Sequence, residues 1–94
     1  MPSIIIKSGT PPTATPDELE VSPDQDFEFE GDVAFTIKFT EDSPDKNDPD
    51  KKKRKSSKEN GKDKIKMKAK DVKKRYPYEI VIGDSSADPA IIIK

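Results

Sequence analysis

The sequence contains no cysteine, no histidine and no tryptophan. Without thiols there is no disulfide framework. Without thiolate and imidazole there is no zinc or copper site of the usual N/S kind. A Ser-His-Asp or Cys-His catalytic group is likewise excluded, and no histidine titrates near neutrality. Long apolar runs are also missing. The longest is four residues, an alanine and three isoleucines at 90–93, far short of a membrane span. The first residues lack the basic and apolar regions of a secretory leader, so the default expectation is a cytoplasmic protein with no membrane insertion. These exclusions point to a non-enzyme without a cofactor or metal.

What remains is very polar. Only 30% of the 94 residues are hydrophobic, while 39% are charged. That balance leans towards disorder, but the apolar residues are clustered. Short groups of Ile, Val and Phe alternate with Pro, Gly and Asp, a pattern that suits short strands joined by polar connections. The length fits one domain, 1–94, with a thin core.

The charges are segregated along the chain. Residues 1–45 hold 2 basic and 11 acidic side chains, whereas residues 46–75 hold 15 basic and 5 acidic ones. A total of −1 therefore conceals an acidic body and a basic segment.

Seven strands are read from period and composition. SIIIK (3–7) and AIIIK (90–94) are runs of β-branched residues that favour extended backbone. Both are expected to be covered on two sides and to lie side by side, removing two exposed edges. DELEV (17–21) and FEFE (27–30) alternate, with Leu19, Val21, Phe27 and Phe29 facing inward. The SPDQD between them is turn chemistry. VAFTIKFT (33–40) directs Val33, Phe35, Ile37 and Phe39 inward. KIKMKAK (64–70) buries Ile65, Met67 and Ala69, although a helix through Ile65, Ala69 and Val72 is its rival. YPYEIVI (76–82) completes the set, with Pro77 restricting that end to a sheet edge.

Between these strands, SGTPPTATP and GDSSADP read as loops. Residues 41–63 contain no hydrophobic side chain and read as a long mobile charged loop, ending in an Asn60-Gly61 turn. The fold class expected is an all-β, about seven-stranded Greek-key sandwich with a long basic loop insertion.

The order of these features resembles a cupredoxin-like or immunoglobulin-like domain. VSPDQDFEF is similar to the strand, turn and strand of the cupredoxin family, YPYEIVI to its tyrosine-bearing penultimate strand and AIIIK to its closing strand. The family's copper site needs two histidines and a cysteine. GDSSADP, where they would fall, has none, so the resemblance implies a fold and argues against copper and electron transfer.

Three segments could carry function. Lys51, Lys52, Lys53, Arg54 and Lys55 form the densest positive cluster, which attracts phosphates or anionic surfaces and has the composition of a nuclear-import signal. Lys64, Lys66, Lys68 and Lys70 would project from one strand face at intervals of roughly 7 Å. No exposed aromatic interleaves with them to stack bases, and such charges also protect a sheet edge. Asp42, Asp45, Asp48 and Asp50 offer oxygen ligands, but lack the central glycine and final glutamate of a calcium loop. The acidic strand faces Glu18, Glu20, Glu28 and Glu30 could pair with the basic segment, within one molecule or between two. The function expected is a non-catalytic binding or accessory module acting through protein–protein contacts. The alternative is a nucleic-acid or polyanion binder acting through residues 51–75.

Overall fold

Alternation in FEFE does become a strand, and it sets the sandwich. In the computed structural model, which describes residues 2–9, 12–47, 50–83, 85–87 and 89–94, there are eleven strands and no helix among the described residues. No helix there is long and apolar enough to cross a membrane. The strands are β1 (Ser3–Lys7), β2 (Thr13–Thr15), β3 (Glu18–Val21), β4 (Asp26–Gly31), β5 (Thr36–Phe39), β6 (Lys53–Lys55), β7 (Ser57–Glu59), β8 (Lys62–Lys68), β9 (Arg75–Ile82), β10 (Ser85–Ala87) and β11 (Ala90–Ile93). One sheet runs β2-β1-β4-β8-β7. The other runs β3-β11-β9-β5-β6, with β10 continuing beside β9.

The inward faces form one core. Phe27, Phe29, Phe35, Ile37, Phe39, Ile65, Met67, Ala69, Tyr76, Tyr78 and Ile80 are buried, as their phase implies. Phe29 of the first sheet meets Tyr78 of the second edge to face, with centroids 5.3 Å apart. Such offset aromatic pairs contribute about 0.5–1.5 kcal/mol beyond area burial. Segment 62–68 is a strand, not a helix, and its partner β7 is joined to it by a two-residue turn. Asn60 and Gly61 both have positive φ there (52° and 82°), as such hairpins require. Asp24 also has positive φ, at the second central position of the SPDQ turn, which the Gln25 N–H closes onto the Ser22 carbonyl at 3.1 Å.

Several expectations give way. The count is eleven rather than seven because β2, β6, β7 and β10, each three residues long, form in stretches read as loops. Tertiary pairing, not local pattern, creates them. The two IIIK segments are not neighbours. β1 lies in one sheet, parallel to β4, and β11 lies in the other, parallel to β3. β1 is not covered on both sides, since Ile4 and Ile6 are buried while Ile5 is 37% exposed, whereas β11 buries Ala90, Ile91 and Ile93 and half-buries Ile92. Val33 is exposed too, because β5 begins only at Thr36.

Pro77 does not sit in an edge strand, since β9 is flanked by β11 and β5. Tyr78 gives its N–H to Pro89 on the β11 side. Backbone groups alternate, so the donor missing at Pro77 falls on the β5 side, just past Phe39–Tyr78, the last pair of that ladder. The sheet interior loses little by accommodating it there.

Candidate basic interface

The 41–63 segment, expected to add nothing to the interior, sends a carboxylate into it. Asp45 is 1% exposed and Ser43 is fully buried. Asp45 Oδ2 accepts a 2.6 Å bond from Arg54 Nη1, and its Oδ1 accepts from the N–H groups of Asn47 at 3.1 Å and Lys68 at 3.3 Å. The segment is thus tied to β8 on one side and to β6 on the other. A buried carboxylate needs this many donors, because an uncompensated one would cost several kcal/mol in lost hydration. A second anchor lies at Ser56, whose hydroxyl accepts from the Phe35 N–H at 2.9 Å and donates to Asp63 at 3.3 Å.

Arg54 therefore differs from its neighbours in KKKRK. In the β5–β6 ladder Arg54 stands opposite buried Ile37, while Lys53 stands opposite Lys38 and Lys55 opposite Thr36. Directly opposed residues share a face. Arg54 consequently points towards the interior, and Lys38, Lys53 and Lys55 share the outer face at the edge of the six-stranded sheet. Two like charges directly opposed, as in Lys38–Lys53, are unfavourable unless something anionic approaches. Glu79, opposite Lys38 on the other side, makes no ion pair with it. Among the described residues, Lys38, Lys51, Lys53 and Lys55 form no salt bridge. Lys51, Lys53, Arg54 and Lys55 line an open recess of about 440 Å³ along this edge.

The other lysines of the sequence reading are differently placed. Lys64, Lys66 and Lys68 do share the outer face of β8, but that strand is interior to its sheet and runs beside the acidic face of β4. Lys64 stands opposite Glu30, Lys66 opposite Glu28 and Lys68 opposite Asp26. Lys66 bonds Glu59 at 2.9 Å, Lys68 lies 3.5 Å from Asp26, and Lys62 lies 3.6 Å from Glu30. The Lys66 ammonium holds Glu59 below the usual carboxylate range by hydrogen bonding and then by charge. Lys70 lies beyond the strand and sets its ammonium 5.4 Å from the Tyr76 ring centroid. The supposed four-lysine row is a mixed-charge surface of three lysines, and the residue that sequence reasoning missed is Lys38. Its position in an alternating strand made it unremarkable until β6 paired beside it.

Acidic residues follow the same logic. Glu18 pairs with Arg75 at 3.1 Å and Glu20 with Lys94 at 2.8 Å, so the opposite edge of the six-stranded sheet is already compensated. Asp42 is held below its ordinary value by its bond to Lys74, and Asp24 by its bond to Lys46. Of the four aspartates considered for calcium, Asp45 is committed to Arg54, Asp42 to Lys74, and Asp48 lies outside the described residues. Among the described residues no group of three or more potential ligands is gathered for a metal.

A second recess, of 450 Å³, lies at the far edge among Pro12, Thr13, Ala14, Asp17, Glu18, Arg75 and Pro89, where Glu18 and Arg75 satisfy each other. No protein-family model matches the chain, and no curated protein matches it.

Proposed function

We propose that the protein is a non-catalytic binding module that holds an acidic partner protein against the basic edge formed by β5 and β6. The observation that carries this reading is the placement of Lys38, Lys53 and Lys55 on one outer face without a salt bridge among the described residues. Of the other lysines on regular strands, Lys62, Lys66 and Lys68 are matched by carboxylates and Lys64 stands opposite Glu30, so this edge is where three unmatched lysines gather on one face and an external anion gains most. The reading needs no catalytic group and no cofactor. It sits on a sandwich of cupredoxin-like or immunoglobulin-like kind without copper.

A second reading, nucleic-acid or other polyanion binding, draws on the same edge together with Lys51 and Lys52. It is favoured by the open recess that Lys51, Lys53, Arg54 and Lys55 line. The β8 row no longer belongs to it, because β4 carboxylates face that row.

The test replaces Lys38, Lys53 and Lys55 by Ser and leaves Arg54 in place, so that the Asp45 anchor survives. Parent and variant are titrated with poly-glutamate, heparin and duplex DNA at low and high salt. The proposal expects the parent to bind poly-glutamate in a salt-dependent way and the folded variant to lose it. Tighter binding of heparin or DNA than of poly-glutamate at equal charge would favour the second reading. No binding to any of the three would refute both.

A further inference from the structure

The hydrogen bonds of β6 define the geometry of such a partner. Phe39 gives its N–H to the Lys52 carbonyl at 2.7 Å, and Ser56 gives its N–H to the Phe35 carbonyl at 2.9 Å. Lys52, Arg54 and Ser56 thus turn their backbone groups towards β5. In an antiparallel ladder successive residues alternate, so Lys53 and Lys55 turn their N–H and C=O groups away from it. Among the described residues nothing bonds to those four groups. The two residues with free backbone are the two whose side chains stand on the outer face beside Lys38.

We infer that β6 accepts an added antiparallel strand from an extended acidic segment whose glutamates or aspartates recur at every second position. This rests on the reading of the β6 edge as an interface for an acidic protein and specifies how the partner is held. The partner residues opposite Lys53 and Lys55 would exchange both backbone bonds with them and share their face. Carboxylates there meet Lys53 and Lys55 across the new ladder. The residue between them falls opposite Arg54, on the inner side of the edge, where a β-branched apolar side chain fits. Antiparallel addition continues the pairing sense of β5 with β6. The other end strands fit this role less well: β2 (Thr13–Thr15) carries no cation, and the glutamates of β3 and the Glu59 carboxylate of β7 are already in ion pairs. Edge lysines ordinarily repel a second strand. Here they repel neutral or basic strands and admit an acidic one, so the same side chains exclude wrong partners and select the right one.

Three peptides distinguish the possibilities. The first alternates glutamate with valine, the second is the same peptide N-methylated at the glutamate amides, and the third keeps the composition but places the glutamates together. Binding is followed by calorimetry, and amide exchange is read at Lys53 and Lys55. Strand addition is expected to slow exchange of the Lys53 and Lys55 amides most with the first peptide and not with the third, and to weaken the second by about tenfold, as loss of backbone bonds of ordinary strength implies. Equal binding of all three without slowed exchange would overturn strand addition and leave the basic edge as a plain electrostatic surface. Failure of all three to bind would overturn the basic-edge reading as well.

Discussion

Asp45 and Arg54, nine positions apart, close a 2.6 Å ion pair whose carboxylate is almost wholly buried. The pair converts a stretch without a single apolar side chain into part of the fold. Removing the carboxylate takes the acceptor away from the backbone N–H groups of Asn47 and Lys68, and leaving buried donors unsatisfied typically costs about 1–3 kcal/mol each. Asp45→Ala is therefore expected to be severely destabilised in urea unfolding, whereas Lys51→Ser and Lys52→Ser should leave the midpoint unchanged. Equal midpoints for Asp45→Ala and the parent would show that the anchor is dispensable.

Gly31 and Phe35 make a second close contact. A methyl group built on Gly31 would stand 2.9 Å from Phe35 Cε1, closer than side-chain carbons approach. Gly31→Ala should cost about 1–3 kcal/mol through overpacking. Phe35→Ala should cost about 3–5 kcal/mol, a large share of a small domain's stability. The double variant should lose less than the two single costs added together, because truncating the ring makes room for the methyl. Additive losses in a denaturation cycle would contradict the contact.

Much of this packing was legible in the sequence. The buried residues of β3, β4, β8 and β9 follow from period two alone, and even the helix rival at 65–72 loses to an unbroken alternation. Four strands were not legible, because Thr13–Thr15, Lys53–Lys55, Ser57–Glu59 and Ser85–Ala87 have no apolar pattern of their own and exist through the strands they pair with. The site was half legible for the same reason. KKKRK announces charge, but which of its members faces solvent depends on the register with β5. That register also brings in Lys38. The row at 64–70 announces charge equally well, yet its worth depends on β4, whose carboxylates lie 38 positions earlier at the Glu28–Lys66 pair.

Tyr78 carries a pH signature. Its hydroxyl is buried without a hydrogen-bond partner among the described residues. Burial first, and then the Asp17 carboxylate, raise its ionisation well above the ordinary tyrosine value. The unfolded chain releases this proton near pH 10, roughly the model-peptide value, while the folded one retains it. The folded state then binds more protons than the unfolded one, so stability is constant below about pH 10 and falls as pH rises beyond it. Tyr78→Phe should match or exceed the parent at neutral pH, since it removes an unsatisfied polar atom. It should also show a shallower decline in alkali. Parallel stability curves for the two proteins above pH 10 would contradict this.

The two groups of lysines should separate under mutation. Replacing Lys64, Lys66 and Lys68 by Ser removes the cations opposite Glu30, Glu28 and Asp26, while Lys62 stays beside Glu30, and exposed pairs of this kind contribute only about 0–1 kcal/mol each. Affinity for an acidic peptide should be nearly unchanged in that variant, and strongly reduced in the Lys38, Lys53 and Lys55 variant. Calorimetric titration of the two side by side checks the ranking, and the reverse order would return the interface to β8.

The most direct measurement is a backbone-amide shift map of the protein titrated with a peptide alternating glutamate and valine. The account expects shifts concentrated at residues 36–39 and 51–56, shrinking as salt is raised, with β8 and the far edge at β3 silent. Shifts of equal size along residues 62–68, or a spectrum unchanged at saturating peptide, would contradict the claim that the β5–β6 edge is the binding surface.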